Sequence, residues 1–100
     1  MAEWLCILRP ARVGMVSEGP TDHERDVVGR HFAYLKGLTD KGTIILVGRT
    51  QNNDERTIGL NVFRADSEDA ARAIVTNDPA VVEGVMTWEL FPYAVALKGF

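Results

Sequence analysis

Residues 21–47 read TDHERDVVGRHFAYLKGLTDKGTIILV, and this stretch predicts one long helix followed directly by a strand. Thr21 is expected to cap the helix, because its hydroxyl can accept an amide proton while the Glu24 carboxylate bonds the N–H of the cap itself. Asp22 is then the first helical residue. The Lys41-Gly42 pair ends the helix with a cation near its negative end and a glycine suited to a left-handed cap.

Apolar residues recur along this helix at three- and four-residue spacing, which places them on one stripe. The stripe consists of Val28, His31, Phe32, Leu35 and Leu38. The segment after the helix, Thr43–Val47, is apolar without interruption and rich in β-branched residues, so it is predicted to be a central strand. The helix is therefore expected to pack its stripe against a sheet.

The rest of the chain supplies three more strands and a second helix. The predicted segments are a strand over Trp4–Leu8, a loop over Pro10–Pro20, a turn over Gln51–Glu55, a strand over Thr57–Phe63, a helix capped by Ser67 and stopped at Asn77-Asp78-Pro79, and a strand over Thr87–Leu97. Pro92 inside the last strand suits an edge or a bulge, because proline cannot donate a ladder hydrogen bond.

The resulting order, β-α-β-β-α-β, predicts an α+β fold of the ferredoxin-like type, in which a four-stranded antiparallel sheet carries two helices on one face. One domain over residues 1–100 is expected, since nothing in the chain repeats and no linker divides it. The other face of such a sheet is left bare, and strands that look apolar on both faces argue that a second copy covers it. We therefore expect a homodimer packed sheet to sheet.

The composition narrows the possible functions. Hydrophobic residues make up 46% and charged residues 25% of the chain, which predicts a folded protein. A net charge of -3 with no Lys/Arg block argues against nucleic acid as a partner. Cys6 is the single cysteine, in the apolar run WLCIL, so a buried, reduced thiol is expected, with no disulfide and no zinc cluster. The sequence shows no leader and no apolar run of membrane length, which predicts a cytoplasmic protein that does not bind the membrane. It also has no phosphate-binding loop, so no nucleotide is expected.

Three local patterns resemble the YciI-related (YCII) family of small dimeric α+β proteins. They are H-x-x-Y-L in residues 31–35 with a glycine soon after, a following strand that ends in a glycine turn at Gly48, and N-D-P-x-V in residues 77–81 with a glycine five residues after the proline. The resemblance spans roughly residue 30 to the C-terminus. It implies a ferredoxin-like dimer related to the dimeric α/β barrels, with His31 and Asp78 as a catalytic pair.

The resemblance also implies a class of chemistry. Relatives with an assigned activity look like lyases or dehydrochlorinases that act on chlorinated hydroxy-aromatics. Many members carry Gly-Pro after the second strand, whereas this chain has Gly48-Arg49-Thr50. The substrate of the proline-bearing relatives is therefore not carried over.

Each candidate site residue has a structural alternative. His31 is either a general base or a core histidine whose ring nitrogens are satisfied, and Asp78 either orients it or forms a turn before Pro79. Tyr34 could bind a substrate oxygen or pack the helix on the sheet, and Arg49 could bind an anionic group or lie on the surface. Three further residues are given structural or solvent roles: His23 is expected to be solvated, and Trp88 and Phe91 to be core or dimer contacts.

The leading hypothesis is a small enzyme without metal or cofactor, a lyase or isomerase acting on a hydroxy-aromatic or similar small acid. His31 would be the general base, Asp78 its orienting partner, and Arg49 and Tyr34 the substrate-binding residues. A non-catalytic small-ligand-binding or accessory dimer is the alternative, and a purely structural domain is a third possibility.

Overall fold

The computed structural model describes residues 2–100, which form four strands and four helices. In chain order these are β1 Ala2–Pro10, α1 Gly14–Ser17, α2 Asp22–Asp40, β2 Ile44–Arg49, β3 Gly59–Ala65, α3 Glu68–Thr76, α4 Pro79–Val82 and β4 Met86–Tyr93. The strands form one antiparallel sheet in the order β2-β3-β1-β4. The α+β, ferredoxin-like prediction is confirmed.

The long helices begin where the sequence predicts. The Thr21 hydroxyl accepts from Glu24 N at 3.1 Å, and Thr21 N donates to Glu24 Oε1 at 2.9 Å, so both halves of the capping box are present. Ser67 Oγ accepts from Ala70 N at 3.1 Å at the start of α3. Gly42 has a φ of 79°, the left-handed conformation expected after α2. These ends depend on contacts within a few residues, which a sequence shows directly.

Two short helices were not predicted. The expected loop Pro10–Pro20 contains α1, which buries Met15 against α2. No side-chain cap begins this helix, so the sequence lacks the usual signal for it. The chain after α3 turns directly into α4, capped by Asp78. The strand predictions over Thr57–Phe63 and Thr87–Leu97 differ from the observed bounds at both ends.

The prediction of a central second strand is wrong. β2 lies at the edge of the sheet, and its Leu46 and Val47 are 37% and 44% exposed. β-branched, apolar residues suit a strand that packs on one side as well as one that is paired on both, so composition does not distinguish the two positions. Pro92 was predicted to lie at an edge or a bulge, and the structure places it at an edge, because β4 forms the opposite edge of the sheet.

A β-bulge in β2 changes which side chains face the helices. Ile44 lies opposite Phe63 on the helix-covered face, and the next pair is Leu46 with Val62, so Ile45 is an extra residue. Because side chains alternate along a strand, this extra residue reverses the faces that follow it. Arg49 consequently points to the helix side, opposite Gly59.

The core lies between the sheet and the two long helices. The sheet supplies alternate residues of β1, namely Trp4, Cys6 and Leu8, together with Phe63. Helix α2 supplies Leu35, and helix α3 supplies Ala71 and Val75. The burial predicted for Cys6 is confirmed at 1% exposure.

The apolar stripe of α2 is rotated from its predicted position. Val27, which the prediction left out, is fully buried, whereas Phe32 is 67% exposed. His31 lies near the centre of the buried side, with 13% of its side chain exposed. The rotation follows from the helix docking on its Val27 side, against Met15, Ala80 and Val85.

The face of the sheet away from the helices carries apolar residues, of which Val62 is 4% exposed, beside the charged residues Glu3, Arg9, Arg64 and Glu89. The residues that alternate onto it include Leu5, Ile7, Leu46, Leu60, Val62, Phe91 and Tyr93. Phe91 and Tyr93 are 41% and 46% exposed. We refer to these seven residues as the open-face patch. Among the helices of residues 2–100, none combines the length and apolar character needed to cross a bilayer.

Candidate active site

His31 on α2 and Asp78 at the start of α4 are in direct contact. His31 Nδ1 lies 2.8 Å from Oδ1 and 2.7 Å from Oδ2 of Asp78. The Asp78 side chain is only 4% exposed. A carboxylate accepts and does not donate, so this contact assigns the proton to Nδ1 and leaves Nε2 as the second ring nitrogen.

A backbone amide two residues further along the chain holds the Asp78 side chain in position. Oδ1 also accepts from Ala80 N at 2.9 Å, which caps α4, and Pro79 occupies the first helical turn. The turn-forming and the histidine-binding interpretations of Asp78 are therefore both present in one side chain. A group held by two independent contacts is well suited to fix the orientation of a ring.

The charge of Asp78 also acts on its neighbours. Burial, reinforced by Asp78, raises the pKa of the Cys6 thiol to about 12. Burial and then Asp78 raise the pKa of the Tyr34 hydroxyl as well. Cys6 is therefore a neutral thiol with no nucleophilic character, and Tyr34 stays protonated and can only donate or accept a hydrogen bond.

His31 lines an open cavity of about 680 Å³ between α2 and the sheet. Apolar walls come from all sides, including Leu8, Met15, Val28 and Leu35. The polar residues of the lining are Arg25, His31, Arg49, Asn53, Thr57 and Asn61. Within residues 2–100 no carboxylate lines this cavity. Its size and mixed lining fit a small organic molecule, and its charges favour an anionic one.

Arg49 lines the cavity because the bulge in β2 turns it to the helix side of the sheet. Its Nε donates to Thr50 O at 2.8 Å and its Nη2 to Asn53 Oδ1 at 2.9 Å. These bonds use two of the five guanidinium donors and hold the group in place, so further donors can bind a ligand. The sequence suggested an anion-binding role for Arg49, and its placement on the cavity is consistent with that role.

Tyr34 lies three residues after His31 on α2 and is not among the residues that line the cavity. Its hydroxyl donates to Ile74 O at 2.7 Å, which ties α2 to α3. This bond favours the packing interpretation, and substrate binding by Tyr34 stays a prediction. The His23 side chain is 63% exposed, with Nε2 3.7 Å from Glu83 Oε1, which agrees with its expected place in solvent.

The mouth of the cavity is formed by the segment before α2. Val16, Gly19 and Pro20 line the cavity there. Arg12 anchors this segment to α2 through two bonds to Glu24, Nε to Oε2 at 2.9 Å and Nη2 to Oε1 at 2.6 Å. The Arg12 guanidinium, with help from the Thr21 amide, lowers the pKa of Glu24 to about 2. The same carboxylate thus caps the helix and fixes one wall of the cavity.

Asn61 is a cavity residue that the sequence analysis did not select. It lies on β3, opposite Cys6 and Val47, and is 4% exposed. A signal was present, because Asn61 alternates onto the same strand face as Phe63, where an apolar residue is expected. An amide at such a position calls for a partner.

Within residues 2–100, no three His, Cys, Asp or Glu side chains come together in a way that could hold a metal ion. The prediction that the protein uses no metal or cofactor is not tested by this observation.

The fold and the site together define a small ferredoxin-like α+β protein with a His–Asp pair on a helix–sheet cavity. The chain belongs to the YCII-related family, since the model of the YCII-related domain matches residues 4–92. The predicted family is thereby confirmed.

A solved structure shares the fold. It is the 5-chloro-2-hydroxyhydroquinone dehydrochlorinase from Burkholderia phenoliruptrix AC1100, in complex with 2,5-dihydroxybenzoquinone. This chain is similar to it at 23% identity with a TM-score of 0.65, over 91% of this chain and 93% of that one. No curated protein matches the chain at a significant level of sequence similarity.

Proposed function

We propose that the protein is a small enzyme that transfers a proton on a hydroxy-aromatic or similar small acidic substrate, as a lyase or an isomerase. The observation that carries the proposal is the contact of His31 Nδ1 with both oxygens of buried Asp78, on the wall of a cavity of about 680 Å³. His31 is the general base and Asp78 orients it.

The tautomer supports this assignment. With the proton on Nδ1 held by Asp78, Nε2 is the ring nitrogen that is left to act as the base. This nitrogen can take a proton from a substrate hydroxyl or an activated carbon, and can return it to the leaving or adjacent group. A positioned base of this kind contributes about 10²- to 10⁴-fold in rate, enough for a substrate that is already activated.

Arg49 supplies the second element of the proposal. A guanidinium in the same cavity as the histidine binds an oxyanion of the substrate and stabilises negative charge that develops as the proton leaves. The apolar walls between the two residues receive the ring. We keep Tyr34 as a proposed substrate contact only because it lies three residues from His31, on the same face of α2.

The fold neighbour supports this class of reaction. The Burkholderia enzyme is a dehydrochlorinase of a hydroxylated ring, which loses a proton and a chloride, and its structure holds a dihydroxybenzoquinone. Because the two chains share the fold, such rings are the first substrates to try here. The two chains are only 23% identical, so the substrate of this protein depends on the residues that line its own cavity.

Turnover of chlorinated hydroxyhydroquinones tests the proposal, followed by chloride release and by deuterium incorporation from D₂O in NMR spectra. We expect His31→Gln to lower kcat by about 10² to 10⁴-fold, the range of general-base catalysis. Asp78→Asn keeps a side-chain oxygen that can cap α4, and it should lower kcat less than His31→Gln does. His23→Gln is the matched control, because it removes an exposed histidine on the same helix.

Two results would reject catalysis by His31. One is wild-type turnover in His31→Gln. The other is an Nδ1-unprotonated ring in ¹⁵N spectra of the folded protein. If no turnover or exchange occurs while small anions still bind, the ligand-binding alternative replaces the enzyme.

We also propose that two copies pair through their sheets. The open-face patch places seven apolar or aromatic residues on one side of a protein of only 100 residues. Apolar surface left in water costs about 25 cal/mol per Å², which favours covering this face. Membership of a family of dimeric α+β proteins supports the same arrangement.

A further inference from the structure

Asn61 on β3 is a buried polar residue that lines the cavity. Its side chain forms no hydrogen bond with residues 2–100, although it is only 4% exposed. In the same part of the chain, every fully shielded side-chain nitrogen or oxygen has a partner. The Asn61 amide is therefore reached from the cavity, whose lining includes it.

The surroundings of Asn61 show which ligand group it can receive. Its cross-strand neighbours are Cys6 and Val47, and burial keeps the Cys6 thiol neutral, with a pKa of about 12. A carboxamide among apolar neighbours offers two N–H donors and one carbonyl acceptor. This combination matches an uncharged ligand oxygen. A hydroxyl can both donate to and accept from the amide, and a carbonyl oxygen can accept from it.

The position of Asn61 relative to Arg49 sets two separate contacts. Arg49 lies opposite Gly59, two residues before Asn61 on the same strand face, so the two backbone positions are diagonal neighbours about 7–8 Å apart. Gly59 has no side chain to stand between them. A small ring can thus place an anionic group at Arg49 and a neutral oxygen at Asn61, with His31 above it on α2.

We propose that Asn61 is a specificity-determining residue, which hydrogen-bonds a neutral oxygen of the substrate at the sheet floor of the cavity while Arg49 binds its anionic group. This inference deepens the proposed function and rests on it for the assignment of the cavity as the substrate site. A ligand with the anion but without the neutral oxygen leaves the buried amide unpaired and binds less tightly.

Binding of benzoate and of 2-, 3- and 4-hydroxybenzoate tests the proposal, because these probes share the ring and carboxylate and differ in one hydroxyl. We expect at least one hydroxybenzoate to bind about tenfold more tightly than benzoate, the effect of one added hydrogen bond. The ¹⁵N side-chain signal of Asn61 should shift with that probe in the unmodified protein. Asn61→Leu, of similar shape, should bind the hydroxybenzoates and benzoate equally.

Arg49→Gln is the matched control on the neighbouring strand. It should weaken all four probes together and leave their ratio unchanged. Three results overturn the proposal: no shift of the Asn61 side-chain signal with any probe, equal binding of all probes by the wild type, or a preference that survives in Asn61→Leu.

Stability provides an independent measurement. Because the Asn61 side chain has no hydrogen-bond partner within residues 2–100, Asn61→Leu should unfold at an equal or higher urea concentration than the wild type. A clear loss of stability would show a structural role for the amide and reject the proposal. All of these readouts report binding or folding, so a protein that binds through Asn61 but turns nothing over would refute the proposed catalysis and leave this inference standing.

Discussion

Asp78→Ala is the substitution that examines the centre of the site most directly. The side chain is 4% exposed and makes two separate contacts, one with Ala80 N at the start of α4 and one with His31 Nδ1. Replacing it with alanine removes both and leaves two N–H groups without an acceptor. The effect on stability should therefore exceed that of an ordinary helix cap.

The magnitude follows from the two contacts. Loss of a helix cap costs about 1 kcal/mol, and loss of a hydrogen bond to a charged group costs about 1.5 to 3 kcal/mol. We expect Asp78→Ala to lower the free energy of unfolding by about 2.5 to 4 kcal/mol. This is a large share of the roughly 5 to 15 kcal/mol that stabilises a small domain.

Urea denaturation followed by circular dichroism measures this difference, with Ser67→Ala as the matched control. The Ser67 hydroxyl caps α3 through one bond, from Ala70 N, and has no second partner within residues 2–100, so its loss should cost about 1 kcal/mol. A double-mutant cycle of Asp78→Asn with His31→Gln then isolates the His–Asp contact. We expect a coupling free energy of about 1 kcal/mol or more in that cycle.

The reasoning fails if Asp78→Ala costs no more than Ser67→Ala. It also fails if the two substitutions of the cycle are additive, since the ring and the carboxylate would then not meet in solution. In either case Asp78 would be a helix cap alone.

Two further predictions concern acid stability and assembly. Arg12 lowers the pKa of Glu24 from 4.5 to about 2. The ionised Glu24 carboxylate therefore contributes its full stabilisation above pH 4.5, and this stabilisation is lost as the pH falls towards 2. Glu24→Gln should remove that part of the acid dependence of the urea midpoint, and an unchanged acid limb would contradict the assignment. Phe91→Glu on the open-face patch should convert a dimer to a monomer in sedimentation velocity, whereas Val82→Glu, at an equally apolar exposed residue in the helix layer, should not. A wild type that sediments as a monomer, or a dimer that survives Phe91→Glu, would exclude pairing through the sheets.

Most of the fold could be predicted because its signals are local. The caps at Thr21 and Ser67 depend on side chains three residues away, and the left-handed turn at Gly42 needs a residue without a Cβ. The element order then limits the architecture to few possibilities, of which the ferredoxin-like sheet is one. Short helices such as α1 lack these signals and were missed.

The site could be predicted only in part. His31 and Asp78 were named from a family resemblance, and they meet in the structure although 47 residues separate them. Asn61 was missed, because in a sequence an amide on a strand looks like any other polar residue. Its lack of a partner is visible only when every neighbour is placed.

The sequence by itself determined where the long helices begin, that Cys6 is buried and that Pro92 lies at an edge or a bulge, since each follows from the chemistry of a few adjacent residues. Only the tertiary structure decided that β2 is also an edge and that Ile45 forms a bulge. Strand order and register depend on pairing with β3, which begins ten residues after β2 ends. That pairing turns Arg49 towards the cavity and places it beside Asn61, so the side chains proposed to select the substrate are brought together by sheet register rather than by any local motif.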